Sequence, residues 1–203
     1  MSTEYPQDLQ EVIRFHGHMC PGLAIGYRAA KAAQARLDVA RPEDEELVAI
    51  VESDGCGIDA IQAMLGCTLG KGNLIYRDHG KQVYTIICRE RGRAVRVAAK
   101  PGLFNRNPDQ EAVFQKVLGG RASEEERQTF WAFQKEKVAE LLAADLDAIF
   151  TITDVSPEVP EKARIFKSVN CAYCGEPVME PRARIRDGKH ACIPCSESYG
   201  RGW

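Results

Sequence analysis

Leu9, Val12 and Ile13 recur at helical spacing just ahead of a polar, histidine-bearing segment, which predicts a short helix delivering the chain to His16. The pattern then changes. Residues 21–37 are alanine-rich, and Gly22, Gly26, Ala29, Ala30 and Ala33 make a small-residue face on a second helix. Proline suits a first helical turn, so Pro21 places Cys20 at or beside the N-cap. The small face lets this helix lie close to a sheet or to another helix. Residues 47–51 form an unbroken apolar run of strand length, the pattern of a buried strand.

A polar loop, Glu52-Ser53-Asp54-Gly55-Cys56, separates that strand from a helix over 58–65, with Gly66 as its stop. Segments 73–76 and 83–88 flank Asp78-His79-Gly80-Lys81, which predicts a hairpin turning at Gly80. Residues 94–99 alternate as a strand, ended by Pro101-Gly102. A helix over 109–118 breaks at Gly119-Gly120. Ser123 followed by Glu126 is a capping box that opens a long helix to about residue 145, and 148–153 is the domain's last strand. Strands interspersed with helices in this way predict an α+β fold with a mostly antiparallel sheet. Pro157 and Pro160 mark a linker. The expected organisation is a domain over 1–155, a linker over 156–164 and a small module over 165–203.

Composition changes this picture little. A net charge of -2 supports neither a nucleic-acid stripe nor a membrane surface, and the start of the chain lacks the basic and apolar regions of a secretory signal. The expectation is a cytoplasmic protein with no membrane partner. Eight cysteines in such a chain point to metal or thiol chemistry rather than disulfides.

Four of them form Cys171-x2-Cys174 and Cys192-x2-Cys195, the spacing of a tetrahedral four-thiolate site. A closed site of this kind predicts structural zinc, whose binding supplies most of the folding free energy of so small a module. Arg182, Arg184, Arg186 and Lys189 make the intervening loop basic. Sparse aromatic residues there favour a solvated loop over a nucleic-acid contact.

The other chemical signal is His16-Gly-His18-Met-Cys20-Pro-Gly22. In an extended chain His16 and Cys20 lie ~13 Å apart, whereas His18 and Cys20 lie ~6.6 Å apart and can share one ion. A turn at Gly17 brings His16 in as well, or leaves it beside the site as a proton carrier. Cys56, in a glycine-flanked loop at a strand-to-helix transition, is the best further ligand. His18, Cys20 and Cys56 then leave a fourth position open, as in catalytic or sensing sites. A metal-free alternative makes Cys20 a nucleophile with His16 or His18 as its base. Asp59 and Gln62, just beyond Cys56, serve either as helix surface or as supports of the site. Cys88 and Cys67 read as small core hydrophobes. The loop from Gly66 to Asn73 carries Lys71, which suits an anion or a tight connection equally.

The HGHMCPG segment, the stretch Asp54-Gly-Cys-Gly-Ile-Asp-Ala-Ile-Gln62 and the stretch Gly66-Cys-Thr-Leu-Gly-Lys-Gly-Asn73 together resemble the FmdE family of formylmethanofuran dehydrogenase components over roughly the first 150 residues. The resemblance implies a fold like the C-terminal domain of glyceraldehyde-3-phosphate dehydrogenase and a homodimer. It implies a metal site at His18, Cys20 and Cys56 with His16 nearby. It also implies association with a molybdenum or tungsten enzyme of one-carbon metabolism. Two other expectations stand beside that accessory role: a metal-dependent enzyme in its own right, and a metal carrier or zinc-ribbon adaptor without catalysis.

Overall fold

The computed structural model describes residues 5–197; residues 1–4 and 198–203, at the outer ends of the two expected domains, lie outside that description. The chain divides between Lys162 and Ala163 into two compact units.

In the first unit, β1 (Leu47–Val51), β2 (Leu74–Tyr76), β3 (Val83–Cys88), β4 (Arg93–Ala99) and β5 (Phe150–Val155) form one sheet in the order β2-β1-β3-β4-β5. Every neighbouring pair is antiparallel except β1 with β2, which run parallel. The fold is therefore α+β with a mostly antiparallel sheet.

The expected hairpin at Gly80 does not form. β1 is apolar and buried at all of its positions, so both of its edges need backbone partners inside the sheet. β2 takes one edge by a crossover through α3 (Gly57–Leu65), and β3 takes the other. The connecting segment instead passes the end of β1. There the amides of His79 and Lys81 both donate to the Glu52 carbonyl, and Arg77 donates to that of Val51. Two strand boundaries also differ from expectation. One helical turn, α6 (Leu146–Ile149), takes Ala148 and buried Ile149 out of the last strand, and the strand expected over 165–169 forms at Ser168–Asn170.

Helices α1 (Gln7–His16), α2 (Pro21–Leu37) and α3 cover one face of the sheet. Leu9, Val12, Leu23, Ile25 and Ile61 from the helices meet Leu47, Val51, Tyr84, Ile86 and Val97 from the strands in one core. Each such aliphatic side chain contributes about 1.5–3 kcal/mol by leaving water. The small-residue face of α2 packs against α3. A Cβ built on Gly26 falls 2.2 Å from the Gly57 carbonyl oxygen, so the two backbones touch with no side chain between them.

The loop from Gly66 to Asn73 is a tight connection. Asn73, fully buried, accepts from the Thr68 amide at 2.9 Å and donates to the Leu47 carbonyl at 2.9 Å, while Lys71 donates to the Asp44 carbonyl at 3.0 Å. The remaining helices, α4 (Pro108–Leu118) and α5 (Glu124–Ala143), form a hairpin, and each opens on a complete capping box. Val138 and Leu141 anchor α5, and α4 buries no residue. The Arg28 guanidinium donates to the Leu142 and Ala144 carbonyls, which satisfies acceptors that the end of α5 leaves open.

In the second unit β6 (Ser168–Asn170) pairs with β7 (Pro177–Met179), and β8 (Arg184–Arg186) pairs with β9 (Lys189–Ala191). Among its described residues only Cys171 and Ala191 are buried, so burial alone cannot hold it together. No helix among the described residues is long and apolar enough to cross a membrane.

Candidate metal centre

Three helix ends converge on one point. α1 stops at His16 because Gly17 turns into the left-handed region (φ 97°), its amide donating back to the Ile13 carbonyl. Cys20 is the N-cap of α2, and its sulfur accepts from the Leu23 amide at 3.4 Å. Cys56 is the N-cap of α3. A Cβ on Gly22 would lie 3.3 Å from that of Cys56, so the glycines of α2 are what let the two helix starts meet.

The result is a cluster of donors from His16, Cys20 and Cys56, all within 4.8 Å of one another. His16 Nε2 lies 3.9 Å from Cys20 Sγ. The opposite ring nitrogen, Nδ1, lies 2.6 Å from Asp59 Oδ2, and Gln62 Nε2 donates to the other Asp59 oxygen at 3.2 Å. A carboxylate can only accept, so Nδ1 carries the proton and Nε2 presents its lone pair to the thiols. The first turn of α3 thus supplies both a thiol and the group that orients the imidazole. Burial, opposed by the Leu23 amide and reinforced by nearby Cys56, raises the Cys20 thiol above its ordinary pKa.

This donor set fits a borderline metal such as zinc. Bonds of ~2.3 Å to sulfur and ~2.0–2.1 Å to nitrogen at tetrahedral angles place nitrogen and sulfur about 3.6 Å apart, close to the spacing here. A carboxylate behind the ligating imidazole is the usual outer support of such a centre.

The imidazole nearest the thiols is that of His16 rather than His18, and the turn at Gly17 is the reason. An extended chain would put His18 beside Cys20, but helix α1 runs up to His16 and the chain then reverses. His18 is left exposed, its ring 4.6 Å from that of His16. Asp59 and Gln62 act as supports of the site. Tyr84 belongs to it as well, although neither motif nor spacing points there. Its hydroxyl donates to Gln82 Oε1 at 2.9 Å, and a Cβ on Gly57 would lie 2.1 Å from that hydroxyl, so the ring props the Cys56 loop from below. The only sign in the sequence is a lone phenol in an otherwise apolar strand. Cys67 and Cys88 are buried away from the cluster, and burial pushes the Cys67 thiol up to about 12.

In the second unit the sulfurs of Cys171, Cys174, Cys192 and Cys195 lie within 4.8 Å of one another, with Cys174 and Cys192 at 3.8 Å. Two matching turns present them. The Gly175 amide donates to the Cys171 carbonyl, and the Ser196 amide to that of Cys192. The Ala172 amide donates to the His190 carbonyl, tying the first turn to β9, and His190 stays outside the sulfur cluster. Arg186 is used internally. It donates to the Cys195 carbonyl at 2.9 Å and lies over the Tyr173 ring.

The comparisons with known proteins divide along the same boundary. Residues 15–151 match the family model described as FmdE, Molybdenum formylmethanofuran dehydrogenase operon. Residues 164–199 match that of the prokaryotic dksA/traR C4-type zinc finger. A curated relative from Archaeoglobus fulgidus, named as a probable S-adenosyl-L-methionine-binding protein, is 35% identical over 199 residues, covering 93% of this chain and 53% of the relative. The chain therefore spans about half the length of that relative. A crystal structure of an FmdE-like protein of tungsten formylmethanofuran dehydrogenase from Syntrophus aciditrophicus shares the fold, with a TM-score of 0.61, 23% identity, and coverage of 96% of this chain and 92% of that one.

Proposed function

The chain belongs to the FmdE family, and from that premise we propose that it is a metal-binding accessory protein of a molybdenum or tungsten formylmethanofuran dehydrogenase-type enzyme of one-carbon metabolism. The observation that carries this reading is the cluster of His16, Cys20 and Cys56, which offers three ligands and leaves a fourth position open. A metal bound there would act as a Lewis acid on a water or substrate atom. Asp59 holds the His16 ring in the ligating tautomer, and the helix starts at Cys20 and Cys56 favour thiolate. With His16 taking the imidazole's place at the centre, exposed His18 is the group positioned to carry protons between site and solvent. The second unit is held by zinc in its four-cysteine site and docks a protein partner or stabilises the chain. The same reading includes a homodimer and a cytoplasmic setting.

Metal analysis of anaerobically purified protein tests the ligand assignment. About two metal equivalents per chain are expected, with the first-unit equivalent lost in a Cys20→Ser, Cys56→Ser double variant. Retention of both overturns the first site. Co-purification with a molybdenum- or tungsten-containing enzyme tests the accessory role, and light scattering tests the dimer.

A second reading, a metal-dependent enzyme in its own right, is favoured by a cavity that begins at Pro21 and Gly22, directly after Cys20. His18→Ala would then reduce turnover without changing metal content. The S-adenosylmethionine in the relative's name is a ligand to try on this chain, by equilibrium dialysis.

A further inference from the structure

The cavity beside the Cys20 helix start has a chemistry of its own. It encloses about 380 Å³ between the first turn of α2, the loop before α4, and α5. That is near the lower end of the ~300–1,000 Å³ usual for small-molecule sites, room for one ring system and a substituent. Phe104, Phe130 and Phe133 line it, and none of the three is buried, so flat apolar surface is left facing the opening.

The polar groups narrow the class of ligand. Both cations in the lining are committed: Arg106 lies 3.6 Å over the Phe114 ring and pairs with Glu111, and Lys137 pairs with Glu140 at 3.0 Å. No cation of the lining is left to meet a phosphate or a carboxylate. The side-chain amides of Asn105 and Gln134 offer donor and acceptor together. The Glu136 carboxylate, at the exposed edge of the lining, has no hydrogen-bond or ion-pair partner among the described residues and accepts only.

From this lining we infer that the cavity binds a planar nitrogen heterocycle bearing an exocyclic amino group, the chemistry of an adenine or guanine base, as a free nucleoside rather than a phosphorylated one. The phenylalanines stack on the ring, the amides meet its edge, and Glu136 accepts from the amino group. The inference stands on the cavity alone and does not depend on the metal at His16, Cys20 and Cys56.

Trp131 reports on the site, because its ring lies 5.2 Å from that of Phe130. In a full-length Trp203→Phe background it is the only tryptophan, and its emission is titrated with adenosine against purine riboside and guanosine against inosine. Each pair differs by one amino group. The expected result is that the amino-bearing member of at least one pair binds about tenfold or more tightly than its partner. Glu136→Gln removes that difference, Phe133→Ala weakens binding about tenfold, and AMP and GMP bind no better than their nucleosides. The Cys20→Ser, Cys56→Ser variant keeps the response, which separates this test from that of the metal reading. Equal binding within both pairs overturns the inference, as does tighter binding of the phosphates. So does S-adenosylmethionine binding without any response to adenosine or guanosine. An emission change that follows protein concentration and ignores every nucleoside shows that a second copy fills the cavity, and overturns it too.

Discussion

Gly26 and Gly57 meet backbone to backbone, and the Cys20 and Cys56 thiols are brought together at the same helix crossing. An alanine methyl at position 26 would sit 2.2 Å from the Gly57 carbonyl oxygen, and no side-chain rotation can relieve that. Gly26→Ala is expected to cost about 2–3 kcal/mol in urea unfolding and to lower metal content at the first-unit site. An alanine variant with unchanged stability and metal content would show that the helices do not cross this closely.

Asp59 orients His16 without touching the metal position. Asp59→Asn keeps the size of the side chain but removes the charge that fixes the tautomer. Metal affinity should fall ~10–100-fold in competition with a chelator, while the unfolding midpoint of the metal-free protein moves little. An affinity that stays level would leave Asp59 as helix surface.

The four-cysteine site couples metal, protons and folding. In the metal-free unit the Cys174 and Cys192 amides hold the Cys171 thiol down to about 6, and the hydrogen bond with Cys192, then burial, pushes Cys195 up to about 12. A lowered value means that the Cys171 contribution is complete above the ordinary thiol range near 9 and is lost as pH falls through about 6. The raised Cys195 value acts oppositely, its contribution fading as pH climbs toward about 12. Zinc must displace the protons that remain. Zinc uptake at neutral pH should release protons in calorimetry carried out in two buffers. Acid or chelator should collapse the amide NMR signals of 163–197 while those of the first unit persist.

Cysteine reactivity should follow exposure. Only the thiolate is nucleophilic, and a Cys67 thiol pushed up to about 12 is almost wholly protonated at pH 8. After metal removal, iodoacetamide should modify exposed Cys56 in the native protein and reach Cys67 only after denaturation. Labelling of Cys67 in the native state would contradict the buried position of its sulfur.

Local pattern carried most of the elements. Pro21 behind Cys20 announced an N-cap, Ser123 with Glu126 announced the start of α5, and the run at 47–51 announced a strand buried along its whole length. What local pattern cannot carry is partner choice. Residues 73–76 and 83–88 look like a hairpin because they are close in the chain. β1, which precedes both, nonetheless sits between them, since its two edges are the ones that most need covering. The site shows the same limit. Residue types named the metal chemistry, but the choice between His16 and His18 rested on one backbone torsion. Tyr84 and the α4–α5 cavity depend on contacts across the fold that spacing does not encode.

That torsion gives Gly17 an unusual kind of constraint. A side chain there would meet nothing within 4 Å, so room is not what reserves the position for glycine. Its φ of 97° is one that L-residues avoid and their mirror images adopt with ease. A chain made by ligation with D-alanine at position 17 should therefore hold its metal as the native chain does, while the L-alanine chain, identical in composition, should not. The centre is guarded at this point by handedness rather than by volume.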